Sequence, residues 1–228
     1  MPFFYDSTYL FLIPAMLISL WAQFKVSSTF ENYSKVRGSR GITGAEAARN
    51  LLDSNGLYYV PIEIVRGKLS DHYDPTVKVL RLSEDVYYGT SVASVGVAAH
   101  EVGHAIQHKN SYKPLVIRNS IVPAVNLGSS LSWILFFAGI VLSIKPLVTL
   151  GIVFFSAVVV FQIITLPVEF DASARALKEI RAQGILYGEE ERGAKKVLDA
   201  AALTYVAATI MAVSQLIRLV AISNSRDN

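Results

Sequence analysis

Hydrophobic positions along this chain gather into four long blocks, separated by stretches in which polar and apolar residues alternate on a shorter period. The first block runs from Phe3, Phe4 and Tyr5 through Leu10–Phe11–Leu12–Ile13 to Leu20 and Trp21, with Asp6 as its single charge. A block of that length predicts a membrane-spanning helix over residues 3–24. It has no basic leader and no small-residue cleavage site, which predicts an uncleaved anchor rather than a signal peptide. Pro14 predicts a kink, and Tyr9 and Trp21 suit the two membrane interfaces. Ile121 to Ile144 and Pro146 to Pro167 are again of spanning length, with only Lys145 between them, and predict a membrane hairpin. Asn126, Ser129, Ser130, Ser132 and Gln162 within it should face other helices or a wet cavity. Ala200 to Ile217, closed by Arg218, is a weaker fourth run that either spans the membrane or packs on the other helices.

Between the first and second blocks the pattern shortens. Thr43–Gly44–Ala45–Glu46 is a capping box opening a helix through Leu51–Leu52, which Gly56 stops. Residues 60–65 and 76–82 alternate as two strands joined by the turn-rich segment from Gly67 to Pro75, and predict a small β-hairpin. An exposed edge of such a hairpin could hold an extended peptide through backbone hydrogen bonds. Thr90 or Ser91 then caps a helix built mainly from Ala, Val, Ser and Gly. Gly96 and Gly103, seven apart on that helix, leave room for another backbone to lie close. After the hairpin, a polar helix runs from residue 168 to about Gln183.

Composition sharpens this picture. The chain has 228 residues, 52% of them hydrophobic and 17% charged, too apolar for an ordinary soluble domain. It has no cysteine, which excludes disulfides and thiolate metal ligands and fits a catalytic part facing a reducing cytoplasm. A net charge of +3 and a pI near 9.0 do not point to nucleic acid, because the basic residues are spread along loops beside apolar runs rather than clustered with aromatics. Lys and Arg number none before the first block, twelve in residues 25–118, one at Lys145 and six in residues 168–197. That asymmetry predicts that the two charged segments are cytoplasmic, with the amino terminus outside.

The chemistry lies in the small-residue helix, which carries His100–Glu101–Val102–Gly103–His104. Histidines four apart stand one above the other on a helix face, so both imidazoles can reach one zinc ion while Glu101 projects beside them. In such a site zinc lowers the pKa of a water and polarises a carbonyl, and Glu101 would move the water's proton to the leaving amine. Three of the four histidines lie within nine residues, which argues against a chance spacing. His108 sits two turns from His100, about 12 Å along the axis, too far to share that ion. Gln107 occupies the place where the metzincin pattern would have a turning glycine. The remaining histidine, His72, falls in Ser70–Asp71–His72–Tyr73–Asp74–Pro75. There His72 or Tyr73 could donate to an oxyanion, or the segment could be a polar loop with Asx turns.

Catalytic zinc takes three protein ligands, so a third must come from elsewhere. Glu169, at a membrane edge on the same side as the motif helix, is the leading candidate. Asp171, Glu179 and the acidic cluster from Glu189 to Glu191 compete with it.

The segments Ser70 to Pro75, Leu80–Arg81–Leu82–Ser83, Gly96 to Gln107 and Leu166 to Ser173 resemble the YugP-type bacterial membrane zinc metallopeptidases, a family related in layout to the HtpX-like and CAAX prenyl protease-like membrane proteases. The resemblance runs along most of the chain. It implies a peptidase, with Glu169 of Glu169–Phe170–Asp171–Ala172 as the third zinc ligand. Ser173 stands where the HtpX-like pattern has a final Asp, with Asp171 as the possible substitute for that carboxylate.

These readings together predict a mainly α integral membrane protein with three to four transmembrane helices and a small β-hairpin in a cytoplasmic zincin-like domain. The expected segments are an anchor (1–24), a cytoplasmic zincin domain (25–118), a transmembrane hairpin (119–168), a cytoplasmic helix bearing the third ligand (169–198), a fourth hydrophobic helix (199–222) and a tail (223–228). The expected function is a gluzincin with zinc on His100, His104 and Glu169, base Glu101 and a further catalytic candidate in His72. It would cut membrane-associated or misfolded polypeptides at the cytoplasmic face of a bacterial cell membrane, with the bilayer and possible complex partners around it. Two rivals are a zinc-bearing membrane scaffold, which would not need Glu101, and a protease cutting within transmembrane helices. Only about eight apolar residues precede His100, too few for that helix to span.

Overall fold

A long uncharged run placed in lipid has no water to bond its backbone, so it must fold into the one segment that satisfies its own N–H and C=O groups, a helix. The computed structural model describes residues 7–225. The expected start of the first span at Phe3 to Asp6 and the last residues of the tail, 226–228, lie outside the described residues. A short 3-10 turn, Ser7–Phe11, leads into α1 (Ile13–Ser34). Then follow α2 (Gly44–Ser54), strands β1 (Ile62–Val65), β2 (His72–Asp74) and β3 (Val79–Ser83), a single turn α3 (Glu84–Tyr87), α4 (Val92–Lys109), α5 (Lys113–Val141), α6 (Lys145–Ala182) and α7 (Glu189–Asn224). Four of the helical stretches, Thr8–Ser34, Lys113–Val141, Lys145–Ala182 and Glu189–Asn224, are long and apolar enough to cross a membrane. The protein is mainly α with a small sheet, and the weak fourth run belongs to this set.

The chain forms two compact units. One comprises Met1–Gln23, Ile117–Leu166 and Thr204–Asn228. Its helices meet over Phe136, Val148, Phe155, Val159, Ala212 and Leu219. Helices in lipid gain nothing from excluding water, so close backbone approach must hold them. A Cβ on Gly139 would sit 2.6 Å from the backbone nitrogen of Val148, and one on Gly151 would sit 2.8 Å from that of Phe136. In the same unit the Arg218 guanidinium lies 3.8 Å from the centre of the Tyr9 ring and donates to the Thr8 hydroxyl at 3.2 Å.

The second unit comprises Phe24–Val116 and Pro167–Leu203. Helix α2 begins at the expected capping box, with Thr43 accepting from the Glu46 backbone and Glu46 reaching back to the Thr43 backbone. Gly56 ends it at φ +66°, a left-handed position that suits a residue without Cβ. Ala47, Ala48, Leu51 and Leu52 fall on one face and are wholly buried, each leucine contributing about 2 kcal/mol by removal of apolar surface from water. They join Leu80, Leu82 and Val86, the small face of α4, and Ile180, Ile185 and Leu186 in one core.

The sheet differs from the expected hairpin. Its order is β1-β3-β2, and the two predicted strands lie side by side in parallel, Ile62 opposite Leu80. The antiparallel partner of β3 is β2, with Tyr73 opposite Leu80, in the stretch that reads as a polar loop. Asp74 makes the expected Asx turn, accepting from the backbone of Thr76 at 2.9 Å, and Lys78 takes φ 55°, so the reversal is tight enough to lay three polar residues beside β3. A parallel pair needs a long crossover, and residues 66–78 supply it.

The second difference is in α6. The hairpin's second apolar run and the polar helix expected after it form one helix of 38 residues, about 57 Å long, with Pro167 inside it. Gly103 of α4 lies against this helix. A Cβ there would meet the carbonyl oxygen of Ala172 at 2.4 Å and its carbonyl carbon at 3.0 Å. Gly96 meets the Cβ of Ala194 at an ordinary 3.4 Å. Gly103→Ala is therefore expected to destabilise the protein by about 1–3 kcal/mol, as insertion of a methyl against backbone does, while Gly96→Ala costs less. Thermal unfolding of the two variants in detergent, read by tryptophan fluorescence, checks the order.

Candidate metal centre

Ser91 caps α4, its hydroxyl accepting from the Ser94 backbone at 3.1 Å. From that start the 3.6-residue repeat brings His100 and His104 to one face, with ring centres 4.7 Å apart. Glu169, on the first turn after Pro167 in α6, faces them. Its Oε2 lies 3.4 Å from His100 Nε2 and 3.5 Å from His104 Nε2, and one donor atom from each residue falls within 4.8 Å of the others. Ligand bonds of 2.0–2.1 Å at tetrahedral angles put donors about 3.3–3.4 Å apart, which the two separations from Glu169 nearly match, and two imidazoles with a carboxylate are a donor set that suits zinc. Glu169 is 4% exposed, whereas the histidine side chains keep 14% and 13% of their surface. One side of the cluster is therefore open to an approaching molecule.

The far nitrogens of both rings are occupied. His100 Nδ1 lies 3.1 Å from Ser173 Oγ, and His104 Nδ1 lies 3.0 Å from Gln107 Oε1. Gln107, wholly buried, donates to the Val168 carbonyl at 2.7 Å and to Asp171 Oδ2 at 2.8 Å. Asp171 also receives Arg175 Nε at 2.5 Å, and the Arg175 guanidinium lies 5.6 Å from the centre of the Tyr112 ring. Ser173, the departure from the HtpX-like pattern, thus contacts the first histidine directly, and Asp171 reaches the second through Gln107. Gln107 carries a role that the sequence reading missed, noting it only as a missing glycine. Its signal was present: a carboxamide three residues beyond a candidate ligand histidine, on a face otherwise built from small apolar residues.

Glu101 is 7% exposed, and its Oε2 accepts the Tyr73 backbone N–H at 3.0 Å. Burial is the main cause that pushes its carboxyl up to about 7, helped by the negative charges of Glu169 and Asp71 and opposed by His100. In the metal-free protein its surroundings therefore favour the protonated carboxyl over the free anion.

His72 stands apart. It is exposed, with Nδ1 2.8 Å from the Ser70 carbonyl and Nε2 3.4 Å from Arg81, and it makes no recorded contact with His100, His104, Glu169 or Glu101. Successive side chains of a strand alternate in direction. It is Tyr73, on the other face of β2, that approaches α4, its hydroxyl 2.9 Å from His108 Nδ1. Burial pushes the Tyr73 phenol up to about 12, and burial followed by the Lys78 charge lowers His108. A protonated phenol and a neutral imidazole therefore bond to each other, and His108 stays outside the donor cluster. The outer edge of β2 is also partly committed, since its Tyr73 N–H is bound to Glu101. The acidic rivals of Glu169 are held elsewhere: Glu179 accepts from Asn55 at 3.1 Å, Glu190 accepts the Ser39 backbone N–H at 2.8 Å, and Glu189 and Glu191 pair with Arg192 and Arg181.

Comparison with known proteins adds a family. A profile described as "Putative neutral zinc metallopeptidase" matches residues 8–224, nearly the whole chain, and the chain belongs to this family. It is 56% identical over 216 residues to a protein of Bacillus subtilis (strain 168) named "Putative membrane protease YugP", covering 94% of this chain and 96% of that one. No solved structure matches it.

The raised Glu101 carboxyl has a consequence for the metal-free protein. Its ordinary value of 4.5 rises to about 7 on folding, so the folded state holds the proton more tightly and loses stability as pH rises between those values. Glu101→Gln removes this loss. In the presence of chelator the variant should melt higher than the parent at pH 8, and the gap should shrink at pH 5. Melting curves at both pH values test it, and an equal gap at the two would show that Glu101 is not buried as a carboxylate.

Proposed function

We propose, with membership of the zinc metallopeptidase family as the premise, that this chain is a membrane metalloendopeptidase of the gluzincin type. His100, His104 and Glu169 would hold zinc, and Glu101 would serve as the general base. The observation that carries this reading is the meeting of three donor atoms from α4 and α6 within 4.8 Å, beside a buried carboxylate that no structural ion pair consumes. Zinc held there supplies a Lewis acid that makes a water acidic and polarises the carbonyl to be cut. Glu101, oriented by the Tyr73 N–H, takes the proton of the attacking water and returns it to the departing amine. Ser173 and Gln107 fix the far sides of the two imidazoles, which keeps the near nitrogens directed at one point. Tyr73, whose hydroxyl is bonded to His108, acts here through its backbone and not as an oxyanion donor, and His72 is no longer needed in the mechanism.

The substrates in this reading are membrane-associated or misfolded polypeptides cut at the cytoplasmic face of a bacterial membrane. The distribution of Lys and Arg supports that orientation, with twelve in residues 25–118 and six in residues 168–197. Residues 25–118 and 169–198 would be the cytoplasmic parts, and residues 1–24, 119–168 and 199–222 the membrane parts. Helix α4 is not among the described helices long and apolar enough to span, so the base and the two histidines would act at the membrane surface rather than within it.

Two experiments test these statements. In purified full-length protein, Glu101→Gln should keep its zinc and lose at least about a hundredfold of its hydrolysis of a casein-type model substrate. Glu169→Ala should lose zinc and activity together, and His108→Ala should keep both. Full zinc occupancy in Glu169→Ala would remove it from the ligand set, and undiminished turnover by Glu101→Gln would move the reading toward a zinc-bearing scaffold. For orientation, the chain has no cysteine, so a single Ser34→Cys variant gives labelling without background. It should resist an impermeant maleimide in intact cells and react after lysis, and reaction in intact cells would place residues 25–118 outside.

A further inference from the structure

The carboxamide of Gln107 is wholly buried, and every polar atom it has is engaged with a group of fixed character. Its nitrogen reaches the Val168 carbonyl at 2.7 Å and Asp171 Oδ2 at 2.8 Å. A carbonyl oxygen can only accept, and Asp171 Oδ2 already accepts from Arg175 Nε at 2.5 Å. Exchanging the amide nitrogen and oxygen would set an oxygen against two acceptors, so the orientation of the amide is determined by its partners. Its Oε1 then faces His104 Nδ1 at 3.0 Å and can only accept. His104 Nδ1 must therefore carry a proton and donate, and Nε2 is the nitrogen left facing Glu169. His100 has no such constraint, because the Ser173 hydroxyl beside its Nδ1 can either donate or accept.

Gln107 also grips both sides of the third donor. Val168 precedes Glu169 directly and Asp171 follows it by two, so the same amide that sets the tautomer of one histidine on α4 pins the turn of α6 that presents the carboxylate. We infer that Gln107 is the positioning residue of the metal centre: it locks His104 in the Nδ1–H form and, through Val168 and Asp171, holds Glu169 against the two histidines. This rests on the proposed metal-site reading. The Asp171–Arg175 pair keeps the amide polarised, which strengthens Oε1 as an acceptor and makes His104 a better donor to a metal.

The test uses full-length protein in detergent, with zinc affinity measured by chelator competition and the absorption spectrum of the cobalt-substituted protein as a second readout. Gln107→Met keeps the volume and removes the hydrogen bonds. It should weaken zinc binding by about ten- to a hundredfold, the range found when a group holding a metal ligand is lost, and change the cobalt spectrum. Gln107→Glu restores an acceptor for His104 but faces Asp171 with a like charge, and should be as weak. A side chain that merely fills space would leave both of these volume-preserving variants near the parent. Zinc binding by Gln107→Met within about twofold of the parent overturns the inference while leaving the metal site standing. If His104→Ala binds zinc as the parent does, the metal-site reading fails and the inference falls with it.

Discussion

The site depends on one close approach, the contact of α4 with α6 at Gly103 and Ala172. A Cβ at Gly103 would lie 2.4 Å from the Ala172 carbonyl oxygen, so the two backbones touch with no side chain between them. Histidine and glutamate side chains have fixed reach, and only helices this close let imidazoles from one and a carboxylate from the other come within 3.5 Å. Ala99, one turn before Gly103 on α4, and Ala172 on α6 are both buried and keep the seam narrow. The small residues of α4 thus serve packing and chemistry together, and a bulkier helix would leave Glu169 out of range before any ligand was altered.

Such closeness crowds negative charge. Glu101 and Glu169 are both buried, Asp171 is two residues from Glu169, and Asp71 is close enough to raise Glu101. Each carboxylate is met by a specific partner: Arg175 and Gln107 at Asp171, the two imidazoles at Glu169, and the Ser83 backbone and hydroxyl at Asp71. Glu101 has the weakest compensation, a single backbone N–H. Burying a charge with so little offset is unfavourable, and a divalent cation nearby would reverse much of the penalty.

The parts of this arrangement that rest on local periodicity were legible in the sequence. The i, i+4 histidines, the capping box at Thr43, Gly103 and the spanning apolar runs each carry their meaning within a turn or two of helix, whereas Gly96 meets only an ordinary contact at Ala194. Glu169 could be read because few carboxylates lie at the edge of an apolar run. Strand β2 was hidden because three polar residues have no alternation to detect, and it forms because β3 offers an edge and Asp74 closes the turn. The parallel pairing of β1 was hidden because strand pattern does not report direction. The continuity of α6 was obscured by Pro167, which usually marks a helix boundary; here the helix runs through it. His72 looked catalytic from its neighbours in sequence, and the two-residue period of the strand turns it away and brings Tyr73 in.

The weak compensation of Glu101 bears on the choice between an enzyme and a zinc-bearing scaffold. A scaffold needs its three ligands and the groups that orient them, and all of those are satisfied without Glu101. Nothing in the packing calls for a carboxylate at position 101: its one recorded hydrogen bond is to a backbone N–H that a glutamine could also engage, and its ionised form is disfavoured by its surroundings. A buried carboxylate whose one hydrogen bond a neutral glutamine could equally make is the kind expected where a proton must be held and released. The same burial raises the carboxyl in the metal-free protein, and a cation in the donor cluster would draw it back toward the ionised form that can accept a proton. The energetic liability of Glu101 in the metal-free protein thus has one physical origin, its burial beside the cluster of donors, and a scaffold that only bound metal would have no use for it.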